Sequence, residues 1–223
     1  MSDDRRPFWQ KASQVFDERA VEYDSWYDES LLFAIELAAL KELETELSEP
    51  RIEIGVGPGR FASELGVTLG IDPARAPLTI ATQRIVGVCQ GVGEDLPLAR
   101  HGIGTCFILF TLCFTRRPAR VLTQVGQALR PGGHLVLGVI PASGPWGRAL
   151  QAKKEDGHPF YQYATFYEIT EIEGWLTAAG LEVVEQRSSL YQKPEALTEF
   201  EPSRDGWSND AGFVVLVARK GWS

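Results

Sequence analysis

The 223-residue chain is poor in cysteine and histidine, with three residues of each. Cys89, Cys106 and Cys113 form no Cys-x-x-Cys pair, and no two histidines stand at the spacing of a metal site. Three thiols are too few for a disulfide framework, and isolated cysteines of this kind are most often buried and unpaired. The sequence therefore predicts neither a metal centre nor a disulfide-stabilised fold.

Long apolar runs and excess positive charge are also absent. The longest apolar runs, such as 212–218, are far shorter than the roughly 20 residues that cross a bilayer, and residues 1–6 contain no apolar signal core. Acidic residues outnumber basic ones by 30 to 22, which gives a net charge of −8. A nucleic-acid binder usually carries a basic face, and so does a protein that binds anionic membranes. We expect a cytoplasmic protein with neither a nucleic-acid nor a membrane partner.

What the sequence does contain is an alternation of short apolar runs and helical periods. This pattern predicts a single α/β domain with a mostly parallel sheet covered by helices on both faces. A helical extension (1–47) precedes the alternation, and an irregular excursion rich in glycine, proline and aromatic residues (143–167) interrupts it. The predicted strands are 51–54, 67–71, 85–89, 105–110, 134–140, 181–185 and 213–217, and the predicted helices are 28–47, 60–65, 74–84, 119–129 and 168–179.

The most informative segment is the glycine cluster 55–59, which follows the first strand and leads into a helix. A turn of this kind brings the backbone close to a ligand. Asp72 ends the next strand 17 positions after Gly55, close to the ~20-residue offset at which an acid meets a ribose hydroxyl in nucleotide-binding folds. Asp72 could instead cap the following helix, since aspartate is a good N-cap residue.

The spacing of the cluster bears on the identity of the nucleotide. The dinucleotide fingerprint is G-x-G-x-x-G, whereas this chain has G-x-G-P-G, and Pro58 has no N–H to offer a diphosphate. Glu53 lies two residues before the first glycine and suits a ligand that carries an ammonium or sulfonium charge. The combination favours S-adenosylmethionine over NAD.

Several segments resemble the motifs of class I S-adenosylmethionine-dependent methyltransferases. Residues 53–61 are similar to the family's first motif, 70–72 to the second, 91–97 to the third, and 129–135 to the turn into the fifth strand. The segment 23–27 is similar to the Tyr-Asp-x-Trp segment of the ubiquinone and menaquinone C-methyltransferases. The resemblance covers about residues 13 to 140 well and the remainder loosely.

The resemblance implies a Rossmann-like, seven-stranded, mostly parallel sheet and an enzyme that methylates a small-molecule acceptor with S-adenosylmethionine. A non-catalytic binding protein for this cofactor or a nucleotide is the main alternative, and an NAD-dependent oxidoreductase is a third. No motif identifies a catalytic residue, although Tyr23, His158 and Tyr161 are candidates. The cofactor-binding residues that the resemblance implies are Tyr23, Glu53, Ile54, Gly55, Gly57, Gly59, Asp72, Pro73, Gly93, Glu94, Asp95, Phe110 and Thr111.

Two aromatic-rich segments, 9–27 and 143–167, are predicted to form a lid over the carboxyl edge of the sheet. Methyl transfer requires alignment and exclusion of water more than it requires proton transfer. The aromatic residues could also be ordinary core packing. We further expect that Asp72→Ala weakens cofactor binding and leaves the melting temperature of the cofactor-free protein nearly unchanged.

Overall fold

The computed structural model describes residues 5–222. Over this range the strands form one mixed sheet, with bounds β1 Arg51–Ile54, β2 Leu69–Asp72, β3 Gly87–Gln90, β4 Ile103–Leu109, β5 Leu129–Val139, β6 Leu181–Ser189, β7 Arg204–Asp205 and β8 Phe213–Lys220. Their order is β3-β2-β1-β4-β5-β8-β6-β7. The first five strands of that order are parallel, and the last three are antiparallel to their neighbours. The predicted Rossmann-like α/β fold is confirmed, with the two-residue β7 as an additional edge strand.

The strand order reverses direction at β1, whose neighbours are β2 on one side and β4 on the other. Ligands in open α/β sheets bind at such a switch point, outside the carboxyl ends of the strands. The glycine turn after β1, Asp72 at the end of β2 and Phe110 just beyond β4 therefore lie at the same edge.

The helices are α1 Phe8–Glu18, α2 Ala20–Ser25, α3 Leu31–Lys41, α4 Arg60–Glu64, α5 Arg75–Ala81, α6 Pro118–Ala128, α7 Pro145–Glu155 and α8 Ile169–Ala178. The helix predicted over 28–47 is shorter at both ends. It begins after Ser30, which caps the helix because its hydroxyl accepts the N–H of Phe33 at 3.2 Å. No helix of the described residues is long and apolar enough to cross a membrane.

The excursion and the start of β5 also differ from the sequence prediction. The excursion 143–167 contains the 11-residue helix α7, which begins with Pro145 at its first position and buries Trp146 and Leu150 one turn apart. Proline is favoured at this position because the missing N–H has no helical partner to lose. Strand β5 begins at Leu129 instead of His134, so the Pro-Gly-Gly segment lies inside a strand whose pairing with β4 shifts register there.

Helices cover both faces of the sheet, and successive side chains of β4 point to opposite faces. Ile108 packs in the layer that contains residues of α6 and α8. Phe107 and Leu109 pack in the other layer with residues of α3, α4, α5 and α7. This second layer supports the helices that border the candidate site.

Candidate functional site

The turn 55–59 has a backbone that requires glycine. Gly55 has a φ of +75°, and a Cβ at this position would lie 2.0 Å from Thr111 Oγ1. Gly57 also has a positive φ, of +51°, with the ring of Tyr23 3.5 Å from where its Cβ would be. Because Gly55 and Gly57 carry no side chain, the backbone of the turn can lie directly against a ligand.

The amides of the same turn are already hydrogen-bonded within the protein. The first two donate to the carbonyl of Ile71 at 2.7 and 3.2 Å, and the third donates to the carboxylate of Asp72 at 2.9 Å. The fourth position is Pro58, and the fifth amide donates back to the carbonyl of Val56 at 2.9 Å. A diphosphate needs free N–H donors, so this turn is unsuited to a dinucleotide.

Asp72 connects the turn to the start of α5. Its two carboxylate oxygens accept the amides of Gly57 (2.9 Å) and Ala74 (2.8 Å), and the residue is 8% exposed. Burial raises the pKa of Asp72 to about 6, and the two amide bonds only partly oppose this shift. These two bonds change the expectation for Asp72→Ala: the substitution would leave two donors without acceptors, so we now expect it to destabilise the cofactor-free protein as well.

A cleft of about 100 Å³, here called the glycine cleft, lies between the turn, Asp72 and helix α1. Among the sequence-predicted cofactor residues, those that line it are Tyr23, Ile54, Gly55, Gly57, Asp72, Pro73, Gly93, Glu94, Phe110 and Thr111. Trp9, Ser13, Pro77 and Thr115 also line it. Of these four, only Trp9 had a sequence signal, as an aromatic residue of the predicted lid.

Three predicted cofactor residues lie outside the glycine cleft. Gly59 is buried behind the turn, where a Cβ would stand 3.3 Å from the Cβ of Ala81, so it serves the packing of α4 against α5. Asp95 is exposed and closes a turn through its amide on the carbonyl of Val92. The third residue, Glu53, lines a small adjoining recess.

The Glu53 recess, of about 20 Å³, lies between the turn and the aromatic rings of Tyr23, Tyr27 and Phe61. Glu53 is 3% exposed, and its Oε2 has no hydrogen-bond partner. Burial, followed by the nearby charge of Asp72, holds the pKa of Glu53 well above its usual value. An unpaired carboxyl in such a place is stabilised by a cation that enters the recess.

A larger cavity of about 360 Å³, here called the aromatic cavity, lies beyond the glycine cleft. Phe16, Tyr23, Phe110, Thr111 and Phe114 line both spaces and form the wall between them. The aromatic residues that line the cavity are Phe16, Tyr23, Trp26, Tyr27, Phe33, Phe110, Phe114, Trp146, Phe160, Tyr161, Phe166 and Tyr167. The structure thus brings the three catalytic candidates, Tyr23, His158 and Tyr161, to one cavity.

The candidates differ in protonation. The hydroxyls of Tyr23 and Tyr27 lie 2.9 Å apart, and burial raises the pKa of both. Burial likewise raises the pKa of Tyr161 to about 12, so these phenols stay protonated. His158 is the exception: burial, together with the charge of Lys153, lowers its pKa, and its Nδ1 is buried without a partner. Of the three candidates, His158 alone offers a neutral nitrogen that can accept a proton near pH 7.

The two predicted lid segments meet above the aromatic cavity at Phe160, which is 2% exposed. Its ring centroid lies 5.4 Å from that of Phe16, 5.8 Å from that of Tyr23 and 4.7 Å from that of Trp26. These rings pack together as core residues do and also cover the cavity.

An ion-pair cluster attaches α2 to the glycine turn. The carboxylate of Asp24 accepts two bonds from the guanidinium of Arg60 (2.7 and 2.9 Å) and two from that of Arg84 (2.7 and 2.9 Å). Burial raises the pKa of Asp24, but the two arginines outweigh this effect and lower the pKa below its usual value. The Tyr-Asp-x-Trp segment therefore places Tyr23 and Trp26 over the cavity while Asp24 holds the helix to the turn.

Comparison with known proteins identifies the family of this chain. A model of the methyltransferase domain matches residues 52–137. The structure of a SAM-dependent methyltransferase of Thermotoga maritima, described as a possible histamine N-methyltransferase, superimposes with a TM-score of 0.86; it is 31% identical over 94% of this chain and 99% of that one. The chain belongs to the S-adenosylmethionine-dependent methyltransferases. The family and cofactor that the motifs predicted are confirmed.

Other relatives of this methyltransferase leave the acceptor open. An uncharacterized protein of Mycobacterium bovis is 39% identical over 211 residues, which cover 93% of this chain and 74% of the relative. A tRNA U34 carboxymethyltransferase of Azotobacter vinelandii is 29% identical over 144 residues, 57% of this chain and 44% of the relative. One of these two relatives is thus described by a tRNA substrate and the other by no substrate at all.

The site of this methyltransferase fits S-adenosylmethionine. When bound, the cofactor supplies a methyl group on a positively charged sulfur. It contains no phosphate, so a turn without free amides is no disadvantage. Its methionine part carries an ammonium group, which suits the unpaired, buried Oε2 of Glu53. Its ribose carries two hydroxyl donors, which suit the carboxylate of Asp72 in the glycine cleft.

Proposed function

We propose that this methyltransferase transfers the methyl group to a small molecule held in the aromatic cavity. The supporting observation is the wall that the cavity shares with the glycine cleft, formed by Phe16, Tyr23, Phe110, Thr111 and Phe114. An acceptor in the cavity would be next to a cofactor in the cleft. The volume of about 360 Å³ is within the range of small-ligand sites.

In this proposal, Glu53 pairs with the ammonium of the cofactor and Asp72 accepts the hydroxyls of its ribose. Gly93 and Glu94 border the adenine from the far side of the glycine cleft, where Glu94 is held by the amide of Arg116 at 3.1 Å. The carboxylate of Asp72 keeps lone pairs for the ribose because each of its oxygens accepts only one amide.

The chain itself contributes alignment and exclusion of water. The rings of Tyr23 and Trp26 meet that of Phe160 in the lining of the cavity. Tyr23 lines both compartments, and its hydroxyl lies 2.9 Å from that of Tyr27. His158 can take a proton from an acceptor that arrives protonated. A small acceptor also agrees with the net charge of −8, which disfavours an RNA backbone.

The test measures S-adenosylhomocysteine formation with a panel of small amines, phenols and thiols, and separately with total tRNA. Turnover with a small molecule and none with tRNA is expected. Leu32→Trp, which fills part of the aromatic cavity, should abolish that turnover and leave the affinity for S-adenosylhomocysteine unchanged. Val21→Trp is the matched control, because Val21 is 77% exposed and lies outside the cavity. Methylation of tRNA, with every small molecule inactive, would contradict the proposal.

A further inference from the structure

Glu36 is an unusual residue for its position. Helix α3 reads Leu-Leu-Phe-Ala-Ile-Glu-Leu-Ala-Ala-Leu-Lys, so Glu36 is the single acid among nine apolar residues, with Lys41 at the end. The residue is 5% exposed and lines the aromatic cavity. Its position on the buried face, beside Ile35 and Ala39, is one that an apolar side chain would occupy in an ordinary core helix.

No cation of the described chain balances this carboxyl. Within residues 5–222, Glu36 makes no ion pair and no hydrogen bond, and burial is the only cause that raises its pKa. Lys153 and His158 line the same cavity, yet neither contributes to the pKa of Glu36. The charge of Glu36 acts instead on two phenols of the cavity, since it raises the pKa values of Tyr27 and Tyr161.

A carboxyl in this position lowers the stability of the fold. A buried ionisable group without a partner costs free energy, and apolar residues of similar volume in such places are often neutral or stabilising. Glu53 shows the same unpaired burial one compartment away, where the cofactor brings an ammonium group. The two carboxyls border different spaces, the Glu53 recess and the aromatic cavity.

The rings around Glu36 favour the same kind of ligand. Tyr27 and Phe33 both line the aromatic cavity, with their centroids 5.3 Å apart and their planes nearly perpendicular. Aromatic faces attract a desolvated cation, and a carboxylate beside them supplies the opposite charge. An ammonium group in the cavity could contact the rings and the carboxylate together.

Resting on the proposed small-molecule function, we propose that Glu36 selects an acceptor that carries a basic amine and binds that amine as a cation inside the aromatic cavity. Glu36 is then a specificity-determining residue. The amine that it holds need not be the atom that receives the methyl group.

The experiment measures binding by calorimetry to the complex with S-adenosylhomocysteine, so that the readout does not depend on turnover. The probes are histamine, phenethylamine and tryptamine, each paired with the neutral alcohol of the same skeleton. The proteins are the wild type, Glu36→Gln and Glu36→Leu, with Glu46→Gln as the control. Glu46 is an exposed acid just beyond α3, and its variant removes one charge without touching the cavity.

We expect at least one amine to bind the wild type and its alcohol to bind at least tenfold more weakly. Glu36→Gln and Glu36→Leu should weaken the affinity for the amine at least tenfold and leave the affinities for the alcohol and S-adenosylhomocysteine unchanged. Glu46→Gln should change none of these affinities. Equal binding of amine and alcohol, unchanged amine affinity in Glu36→Gln, or no binding of any of the three amines would overturn the inference. If the alcohols bind and small molecules are methylated regardless of charge, the small-molecule function stands and only the role of Glu36 fails.

Discussion

The glycine cleft and the aromatic cavity are adjacent and yet are built in different ways. The cleft is shaped by backbone: a turn with positive φ angles, amides bonded to Ile71 and Asp72, and the ends of β1, β2 and β4. The cavity is shaped by side chains from α1 to α3, from the segment after β4 and from residues 139–172. Among the described residues, each space adjoins one buried carboxyl that makes no hydrogen bond, Glu53 beside the first and Glu36 in the second.

This difference bears on how each space can be altered. A backbone-built cleft depends on a few obligatory glycines and one acid, so a substitution at any of them disturbs the whole turn. A side-chain cavity can be altered residue by residue without disturbing the sheet. Acceptor specificity is therefore expected to reside in the helices and the excursion and not in the motifs.

The largest expected effect comes from filling the glycine turn. Gly55→Ala should lose affinity for S-adenosylhomocysteine by at least about a hundredfold, because the new Cβ would lie 2.0 Å from Thr111 Oγ1. Positive φ alone costs about 1–2 kcal/mol in a non-glycine residue. Calorimetry gives the affinity, and chemical denaturation gives the free energy of unfolding.

Gly180→Ala is the control for backbone strain. Gly180 has a φ of +74° and nothing within 4 Å of its Cβ position, so the variant should lose stability and keep its affinity. If both variants lose affinity equally, strain explains the result and the close approach of the turn to a ligand does not.

The next effect concerns Asp72, which belongs to the same backbone-built region. Asp72→Ala should weaken the affinity for S-adenosylhomocysteine at least tenfold and also lower the melting temperature of the cofactor-free protein. The second effect follows because the amides of Gly57 and Ala74 lose their acceptors, at about 1–3 kcal/mol for each unsatisfied group.

Asp72→Asn refines the comparison, because its carbonyl can still accept one amide while the charge is lost. It should recover part of the stability and little of the affinity. Full affinity in Asp72→Asn would mean that the charge of Asp72 does not serve the ribose.

The glycine cleft was largely predictable from the sequence for a physical reason. Its signals are local: glycines where φ is positive, a proline that removes a donor, and an acid at the end of a strand. Strand β1 was predicted with its observed bounds, and most predicted cofactor residues line the cleft. Gly59, Asp95 and Glu53 lie outside the cleft, because a motif gives positions along the chain and not which way each residue faces.

The aromatic cavity was predictable only as two segments that would meet. Helix α7 was not predicted because Pro145 and Gly147 near its start resemble a loop, although proline at the first helical position is a starting signal. Glu36 was not predicted as a site residue because the sequence of α3 is typical of a core helix. Whether its one acid faces a cavity or solvent depends on the packing of the neighbouring helices. Long-range packing decides both cases.

A smaller effect tests whether the cavity closes as the cofactor binds. Hydrogen exchange in residues 9–27 and 143–167 should slow when S-adenosylhomocysteine binds. Asp24→Asn should reduce this protection and lower the affinity for S-adenosylhomocysteine several-fold, because it weakens the ion pairs that connect α2 to Arg60 and Arg84. Exchange monitored by mass spectrometry resolves the two segments.

Asp28→Asn serves as the control: among the described residues the carboxylate of Asp28 pairs with Arg60 and not with Arg84, and its side chain is 62% exposed. Such an exposed pair contributes little, so protection should remain. Protection confined to the surroundings of Gly55 and Asp72 would show that the two segments are fixed scaffold and not a lid.

The smallest effect is a pH dependence of stability that distinguishes the carboxyl of Glu36 from an ordinary surface acid. Burial raises the pKa of Glu36 in the folded protein, so between its unfolded and folded values the folded state holds more protons than the unfolded one. Its contribution to stability is therefore complete below pH 4.5 and is lost as pH rises through the folded value. Removing the carboxyl should make the protein relatively more stable as pH increases.

The difference in unfolding free energy between Glu36→Gln and wild type should thus grow in favour of the variant from pH 5 to pH 8, by up to about 1.4 kcal/mol per pH unit. The difference is the useful quantity because the lowered pKa values of His134 and His158 act on wild-type stability with the opposite sign over part of this range, and they cancel between the two proteins. Glu46→Gln should show no such trend. A difference that stays constant with pH would mean that Glu36 is not desolvated in solution, and the cavity would then lack the unpaired carboxyl that separates it from a plain apolar pocket.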